Sequence, residues 1–476
     1  MIFEERQIEK NNFSIRATLL FGLMILGLIA VLLKVFSLQI SGYTDYQLAA
    51  LNNKNYPVPV QSLRGEIFDR NGKALVKNEP TYDLITRPNL IDDINSFLEK
   101  IQPVIFLSEN EISNYKKLQK EKAFDNKELV LKKDLSAEEI ARFNVRSFNF
   151  QHAFIAQRYR RISDYPEIFS HVLGYTSRIE NDIKSMPEIP QSHWKDTELV
   201  YAHGLIQGKT GLEQIYDDHL SGQHGQRVYE MNAKGQFVQS LSFTQPAKGS
   251  DLYTSLDIDA QKSAAKFLGN RKGAVVAIDL ESGGINVLYS SPTYSINQLS
   301  NGMSENNFQT LLNDADKPFF NRALQGRYPP ASTIKPAIGM YGLSNNIVNW
   351  DFEMKDPGFF TLPETGRVFR GWRKGGHGKV NMHKAFLVSS NTYFFSLAYQ
   401  ADIGDLSNHL SSLGFGQKAC LDCFEEDPAF VPTPEWKYSI MNAGWVKGAT
   451  ANLGVGQGYV VATPMQLANS AALLAS

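Results

Sequence analysis

Hydrophobic and polar positions change rhythm several times along the chain. Between Ala17 and Leu33 there is no charged residue; Lys34 interrupts, and Val35 to Ile40 resumes the apolar character. A helix rising about 1.5 Å per residue needs around 20 residues to cross a bilayer core, so 17–40 is predicted to span one, with Lys34 snorkelling. No small-residue cleavage pattern follows, which separates the segment from a cleaved signal peptide. Arg6, Lys10 and Arg16 precede it and few basic residues follow closely. That asymmetry places the tail 1–16 in the cytoplasm and the body outside.

After Ile40 no run approaches membrane length. Residues 41–245 mix short β-like pieces, loops and helical stretches such as Glu109 to Lys122. Near Lys248-Gly249-Ser250 the texture shifts. Leu252 to Leu256 alternates like a strand, and Ala260 to Leu268 reads as a helix. Gly273 to Asp279 and Ile285 to Ser290, separated by Glu-Ser-Gly-Gly, read as a β-hairpin. The fold class expected is mixed α/β: a membrane helix, a mixed α+β segment 41–245, and an antiparallel sheet flanked by helices over 246–476.

Composition narrows the function classes. The 476 residues carry 48 Lys plus Arg against 49 Asp plus Glu, a formal charge of -1. Such a balance gives no support to nucleic acid as a partner. At 43% hydrophobic and 20% charged, the chain has ample apolar surface for a core, which excludes bulk disorder. Two cysteines exclude a disulfide-framed scaffold. They form the pair Cys420-Leu-Asp-Cys423, for which a local disulfide and reduced thiols both stay open. No βαβ context surrounds them to suggest thioredoxin-like chemistry.

The chemical centre is Tyr328-Pro-Pro-Ala-Ser332-Thr-Ile-Lys335-Pro336. Two prolines end a loop, and the residues from Ser332 onward are predicted helical. Positions i and i+3 share a helix face, so Ser332 and Lys335 are expected to meet directly. Serine is a poor nucleophile until a base takes its proton, and a desolvated lysine serves once its pKa falls. The helix N-terminus adds positive potential where a tetrahedral oxyanion develops. The tetrapeptide S-x-x-K alone recurs by chance in a chain of this length, so its neighbours decide.

With those neighbours, the sequence resembles the class B penicillin-binding proteins over nearly its whole length. Asn321 to Pro336 is similar to their nucleophile region, and Ser389-Ser390-Asn391 to their S-x-N motif. Arg64-Gly-Glu-Ile-Phe-Asp-Arg-Asn-Gly72 resembles the opening of their non-catalytic pedestal, and Gly454-Val-Gly-Gln-Gly458 with Ala462 to Gln466 a stretch of their catalytic domain. Trp372, Gly376-His377-Gly378 and Asn381 point to the elongation-type branch (penicillin-binding protein 2). The resemblance implies a peptidoglycan D,D-transpeptidase. Ser332 would attack the penultimate D-alanine carbonyl of a stem peptide, with Lys335 as general base. Ser389 would relay a proton to the leaving amine, Asn391 would hold the substrate amide, and the Ser332 amide would supply one oxyanion donor. β-Lactams would acylate Ser332 as substrate mimics. The implied partners are a RodA-type polytopic glycan polymerase, other elongation-complex proteins and the bacterial inner membrane.

The family's third motif, K-T-G, follows the S-x-N sequence. This chain carries Lys209-Thr210-Gly211 upstream of Ser332 instead, in a stretch resembling a structural part of the pedestal. Downstream of Asn391 no K-T-G precedes Ser476, and the expectation is a transpeptidase domain incomplete at its C-terminus. Some elongation-type relatives hold zinc near the serine with two aspartates, a histidine and a cysteine. Asp356 and His377 match two of those places, while Gly371 and Ser390 stand in the others. Two ligands make no structural zinc site, so the expectation is no cofactor and a hydrogen-bonded loop histidine at 377. Zinc retention would require a substitute ligand such as Glu364.

Three rival readings accompany the transpeptidase. A non-catalytic scaffold or polymerase activator fits the missing third motif but not the intact Ser332, Lys335, Ser389 and Asn391. A serine β-lactamase or β-lactam sensor shares S-x-x-K but not the long pedestal. A division-specific transpeptidase differs only around the Gly-His-Gly segment.

Overall fold

The computed structural model describes residues 2–41, 55–88, 91–121, 129–178, 205–231 and 237–476. The chain opens with the helix Ile2–Phe36, which passes into a π turn, Ser37–Ser41. Its apolar part, Leu19–Ile40, is long enough to cross a membrane and none of it is buried against the rest of the protein. A single-pass anchor fits both properties.

In the N-terminal half the hub is one long strand, Ala74–Thr86. It pairs antiparallel with Ala153–Ile162 from Lys77 opposite Ile162 to Thr86 opposite Ala153, and with Leu129–Lys132 and Ile67–Phe68. Leu84, Ile101, Tyr115 and Phe143 fill the core beneath it. The helix expected from Glu109 runs Glu109–Glu121, with Lys122 outside the described residues. A second antiparallel sheet joins Asn55–Val60, Gly225–Met231 and Phe237–Thr244.

The strand expected over Leu252–Leu256 is shorter, Leu252–Tyr253, and pairs in parallel with Ile67–Phe68. Backbone bonds to the same stretch continue beyond it, from the Thr254 N–H to the Phe68 carbonyl at 3.0 Å and from the Arg70 N–H to the Leu256 carbonyl at 2.9 Å, until Asp257 caps the next helix. That helix, Ile258–Leu268, packs on the hairpin Gly273–Ile278 and Ile285–Ser291, whose register runs from Gly273 opposite Ser291 to Ile278 opposite Ile285. The helix Pro464–Ala475 lies against the Gly273–Ile278 strand.

The Arg64–Gly72 motif is a folding device. Its Arg64 donates to Glu213 at 2.6 Å and pairs with Asp217 at 2.7 Å, and Arg161 reaches the other Glu213 oxygen at 2.7 Å. Burial alone would raise the Glu213 carboxyl, but the two guanidiniums outweigh it and hold it below the usual range. Asp69 closes the motif's turn by accepting from the Asn71 and Lys73 amides at 2.9 and 2.8 Å.

The C-terminal half is built around the helix Asn391–Gln400, whose Phe394, Phe395, Leu397 and Ala398 are buried. Helices Lys335–Ser344, Ile403–Ser412 and Lys447–Leu453 pack about it in one apolar cluster. Cys420 and Cys423 are joined by a disulfide, which settles the pair left open in the sequence. The loop they close bonds back to the N-terminal half through the Tyr216 hydroxyl, 2.8 Å from Asp422.

Candidate active site

Ser332 lies in a 3-10 turn, Ala331–Ile334, that leads straight into the helix Lys335–Ser344. Pro329 and Pro330 end the approach loop, and Pro336 fits the first turn of the helix, where an N–H is dispensable. The first backbone bond of the turn is Thr333 N–H to Pro330 O, so the Ser332 N–H stands ahead of the ladder. Ala331 sits at φ +50°, a conformation costly for a residue with a Cβ. It is held there from outside: its N–H donates to the Gly456 carbonyl at 2.9 Å, and Tyr328 and Ala462 exchange a pair of 2.9 Å bonds across the same seam.

Lys335 is 2% exposed, and burial lowers its pKa from 10.5 to about 8. Its Nζ donates to the Ser389 carbonyl at 3.0 Å, the Ser389 hydroxyl at 3.0 Å and Asn391 Oδ1 at 2.8 Å, which occupies all three ammonium protons. The Phe394 ring lies 5.3 Å from the same nitrogen. The Ser389 hydroxyl in turn donates to Ser332 Oγ at 3.1 Å. The Lys335 backbone N–H donates to the Ser332 carbonyl, but among the described hydrogen bonds none joins the two side chains directly. The expected contact is therefore replaced by a three-residue path, because the lysine is drawn toward the acceptors of the S-x-N segment.

That segment is shaped for the task. The helix Met382–Leu387 ends, Ser389 takes φ +50° with its N–H bonded to Phe386 O at 3.1 Å, and Ser390 caps the helix Asn391–Gln400 through the Tyr393 amide at 3.2 Å. Two non-glycine residues in the left-handed region, Ala331 and Ser389, thus flank the Ser332 hydroxyl. Strain of this kind clusters where structure is over-determined for function, at about 1–3 kcal/mol each. The structure brings Ser332, Lys335, Ser389 and Asn391 together. Sequence reasoning gave Phe394 and Gly456 no place at the site, although the stretch Gly454 to Gly458 stood out as a motif; the apolar run after Asn391 was the available signal for Phe394.

Lys209-Thr210-Gly211 lies elsewhere, between the strand Ile206–Gly208 and the short helix Gly211–Ile215 of the N-terminal half. Gly211 has φ +58°, and a Cβ there would sit 2.6 Å from the Val172 carbonyl oxygen. A chain crossing explains that glycine without catalysis.

The residues at the zinc-like place do not fit a zinc ion. Asp356 is buried with both carboxylate oxygens engaged, Oδ2 by the Ser390 hydroxyl at 2.7 Å and Oδ1 by the Gly358 N–H at 2.8 Å. The Gly371 place offers only backbone, and Glu364 is bound to the Tyr399 hydroxyl. Among the described residues the one cluster of three potential ligands is Cys420, Asp422 and Cys423, whose sulfurs are in the disulfide. The expectation for His377 needs correcting: its backbone N–H bonds to Asp356 O at 3.2 Å, but its buried Nδ1 has no hydrogen-bond partner, because the ring is turned against Trp372 with centroids 5.3 Å apart.

Residues 59–254 match the penicillin-binding protein dimerisation domain, and residues 273–476 the penicillin-binding protein transpeptidase domain. The peptidoglycan D,D-transpeptidase MrdA of Acinetobacter baumannii is 36% identical over 99% of this chain and 68% of its own length. Penicillin-binding protein 2 of Helicobacter pylori, solved in complex with MreC, superposes with a TM-score of 0.72 at 29% identity, covering 87% of this chain and 75% of that one. The Pseudomonas aeruginosa penicillin-binding protein 2 in complex with WCK 5153 gives a TM-score of 0.64 at 29% identity, covering 88% and 70%. With the fold, both domain matches and the full-span relative agreeing, this chain belongs to the elongation-type class B penicillin-binding proteins, the serine-type peptidoglycan D,D-transpeptidases.

Proposed function

We propose that Ser332 is the residue acylated, Lys335 the base, Ser389 the proton relay between them and Asn391 the group that holds the substrate amide. The continuous path from Lys335 through the Ser389 hydroxyl to Ser332 Oγ carries this reading. In the ammonium form every Lys335 proton is donated and Ser332 receives a hydrogen bond, which is a resting state. Loss of one proton reverses the path: Nζ keeps two donors for Ser389 O and Asn391 Oδ1 and accepts from Ser389, which accepts from Ser332. At pH 7 a pKa of about 8 leaves roughly a tenth of the lysine neutral, against far below a hundredth for an ordinary one.

The chemistry then proceeds in two balanced halves. Ser332 Oγ bonds to the carbonyl carbon of the penultimate D-alanine while its proton passes through Ser389 to Lys335. The tetrahedral centre collapses, the C–N bond breaks, and the proton returns along the path to the departing D-alanine amine. An amine of a neighbouring stem peptide attacks the ester, forms the cross-link amide and restores the Ser332 proton. The Ser332 N–H at the start of its turn is placed to donate to the developing oxyanion. A β-lactam enters the first half and stalls before the second.

The units of this reading are a cytoplasmic tail 1–16, an anchor 17–40, a pedestal 41–245 and a transpeptidase domain 246–476. The basic residues Arg6, Lys10 and Arg16 support a cytoplasmic N-terminus in the bacterial inner membrane and an extracytoplasmic body. The MreC complex of the Helicobacter pylori relative supports elongation-complex partners, and the anchor and pedestal together suit a RodA-type polymerase. The deciding experiment is incubation with a fluorescent penicillin and peptide mapping of the adduct. An adduct on Ser332, abolished in Ser332→Ala, is the expected result; an adduct on another serine overturns the assignment.

A further inference from the structure

We infer that Asp356 is a positioning residue for acylation, acting through Ser390 on the two groups either side of it, in the place where zinc-bearing relatives hold a metal. Ser390 itself does not touch the Lys335–Ser389–Ser332 path. It lies between Ser389, which supplies the hydroxyl of that path, and Asn391, which binds the Lys335 nitrogen. Whatever fixes Ser390 fixes both.

Three bonds fix it. The Ser390 N–H donates to Ala385 O at 2.9 Å, its Oγ accepts from the Tyr393 amide at 3.2 Å, and its hydroxyl proton goes to Asp356 Oδ2 at 2.7 Å. The first two are local to the turn. Of the three, the last alone ties the turn to a separate part of the chain. Ser390 is 1% exposed and Asp356 2%, so water cannot replace it.

Asp356 is itself rigidly seated. Its other oxygen accepts from the Gly358 amide at 2.8 Å, its carbonyl accepts from the His377 N–H, and it sits in the strand Met354–Asp356 paired with Gly378–Val380. Both carboxylate oxygens thus accept hydrogen bonds inside the fold, one from the Ser390 hydroxyl and one from the Gly358 amide. A carboxylate acceptor for a serine hydroxyl is a charge-assisted bond, short and directional. It holds the left-handed Ser389 backbone against relaxation, and with it the 3.1 Å approach of the Ser389 hydroxyl to Ser332.

The inference rests on Ser332 being the acylated residue, so the experiment separates the two. Penicillin acylation is measured by stopped flow over a concentration series, giving a binding constant and a limiting acylation rate, for wild type, Asp356→Asn, Ser390→Ala and the double variant. An amide at 356 can accept from Ser390 or from Gly358 but not from both. The expected result is a limiting rate lowered about 10- to 100-fold in each single variant with penicillin affinity held within about twofold, since a reacting group is misplaced while the groups that bind penicillin stay where they are. The double variant is expected to lose less than the product of the two single losses, because Asp356 and Ser390 act through one shared bond. The pH midpoint of the rate should stay where it is in wild type, as Lys335 remains buried. Dialysis of wild type against a chelator should leave the rate unchanged.

An Asp356→Asn rate within twofold of wild type, losses that multiply in the double variant, or loss of acylation on chelation would each overturn the positioning role. Should Asp356→Asn not fold, Ser390→Ala decides alone, since it leaves the carboxylate bonded to Gly358: a wild-type rate overturns the proposal. Mapping the adduct in the same samples keeps the readings apart. A slowed adduct still on Ser332 supports both, whereas an adduct elsewhere removes the parent reading instead.

Discussion

Gly456 and Ala331 cross so closely that a Cβ on the glycine would lie 2.2 Å from the Ala331 carbonyl oxygen, and the Gly456 backbone is itself at φ +67°. The carbonyl of the same glycine receives the Ala331 N–H at 2.9 Å. A glycine in a loop more than a hundred positions downstream thus sets the conformation of the residue before Ser332.

Gly456→Ala is therefore expected to slow acylation more than it unfolds the protein. The methyl must push Ala331 away, and the displacement passes along one peptide to the nucleophile. A misplacement of that order costs about 100-fold in rate. Fluorescent-penicillin kinetics alongside circular dichroism check it. Wild-type kinetics in a folded variant would show that the crossing is mere packing.

The acylation rate should rise with pH and level off, with a midpoint near 8. The sign follows from the direction of the Lys335 shift: burial lowers the pKa to about 8, and only the neutral amine accepts the relayed proton. Linkage gives a companion result for stability. Because the folded pKa is below the unfolded one of 10.5, the folded state binds fewer protons between the two values. This lysine thus opposes folding fully below about pH 8, and the opposition fades as pH rises to 10.5. Lys335→Met lacks that term. The stability difference between variant and wild type should move in favour of wild type over that interval, measured by urea unfolding at several pH values. A flat difference would mean the lysine is not desolvated.

Much of this was legible in the sequence because it depends on local pattern. The charge-free run 17–33 fixes a helix by length alone, and the hairpin at Gly273 and Ile285 follows from its turn residues. Ser332 and Lys335 are one turn apart, so their neighbourhood needs no tertiary information. The Ser389 bridge does: it joins positions 57 residues apart, and spacing predicted a direct contact in its place. The partner of the Leu252 stretch was illegible for a related reason, since its backbone bonds go to residues 66–70, far away in sequence. Asp356 was visible only as half of a ligand pair. Its hydrogen bond to Ser390 depends on how two loops meet, which no periodicity encodes.

Glu213→Ala should destabilise the fold severely. It leaves Arg64 and Arg161, both nearly fully buried, without their shared carboxylate. Breaking a buried pair from one side costs about 3–5 kcal/mol. The pH sign is that of a depressed carboxyl: its contribution is full above the ordinary value of 4.5 and is lost as pH falls through the lower folded pKa. Denaturant titration of wild type and variant tests both points. A loss below about 1 kcal/mol would mean water enters the cluster and solvates the arginines.

The disulfide loop yields a prediction about how the two halves of the molecule are coupled. Cys420–Cys423 closes a loop whose Asp422 accepts the Tyr216 hydroxyl across the halves at 2.8 Å, while Glu426 accepts from the Ala419 and Cys420 amides at 2.9 and 2.8 Å. Burial and the nearby Asp422 push the Tyr216 hydroxyl up to about 12, so it stays protonated and donating throughout the working range. A disulfide closing so short a loop stabilises by about 2 kcal/mol in the chain-entropy picture. Its effect on the clasp should come from holding Asp422 toward Tyr216. Tyr216→Phe, the double Cys420→Ser and Cys423→Ser variant, and their combination form a cycle. The expected result is a combined loss smaller than the sum of the separate losses, because each change removes part of the same contact. Strictly additive losses would mean the loop holds its shape without the disulfide, and the Tyr216–Asp422 bond would then be independent of cysteine oxidation.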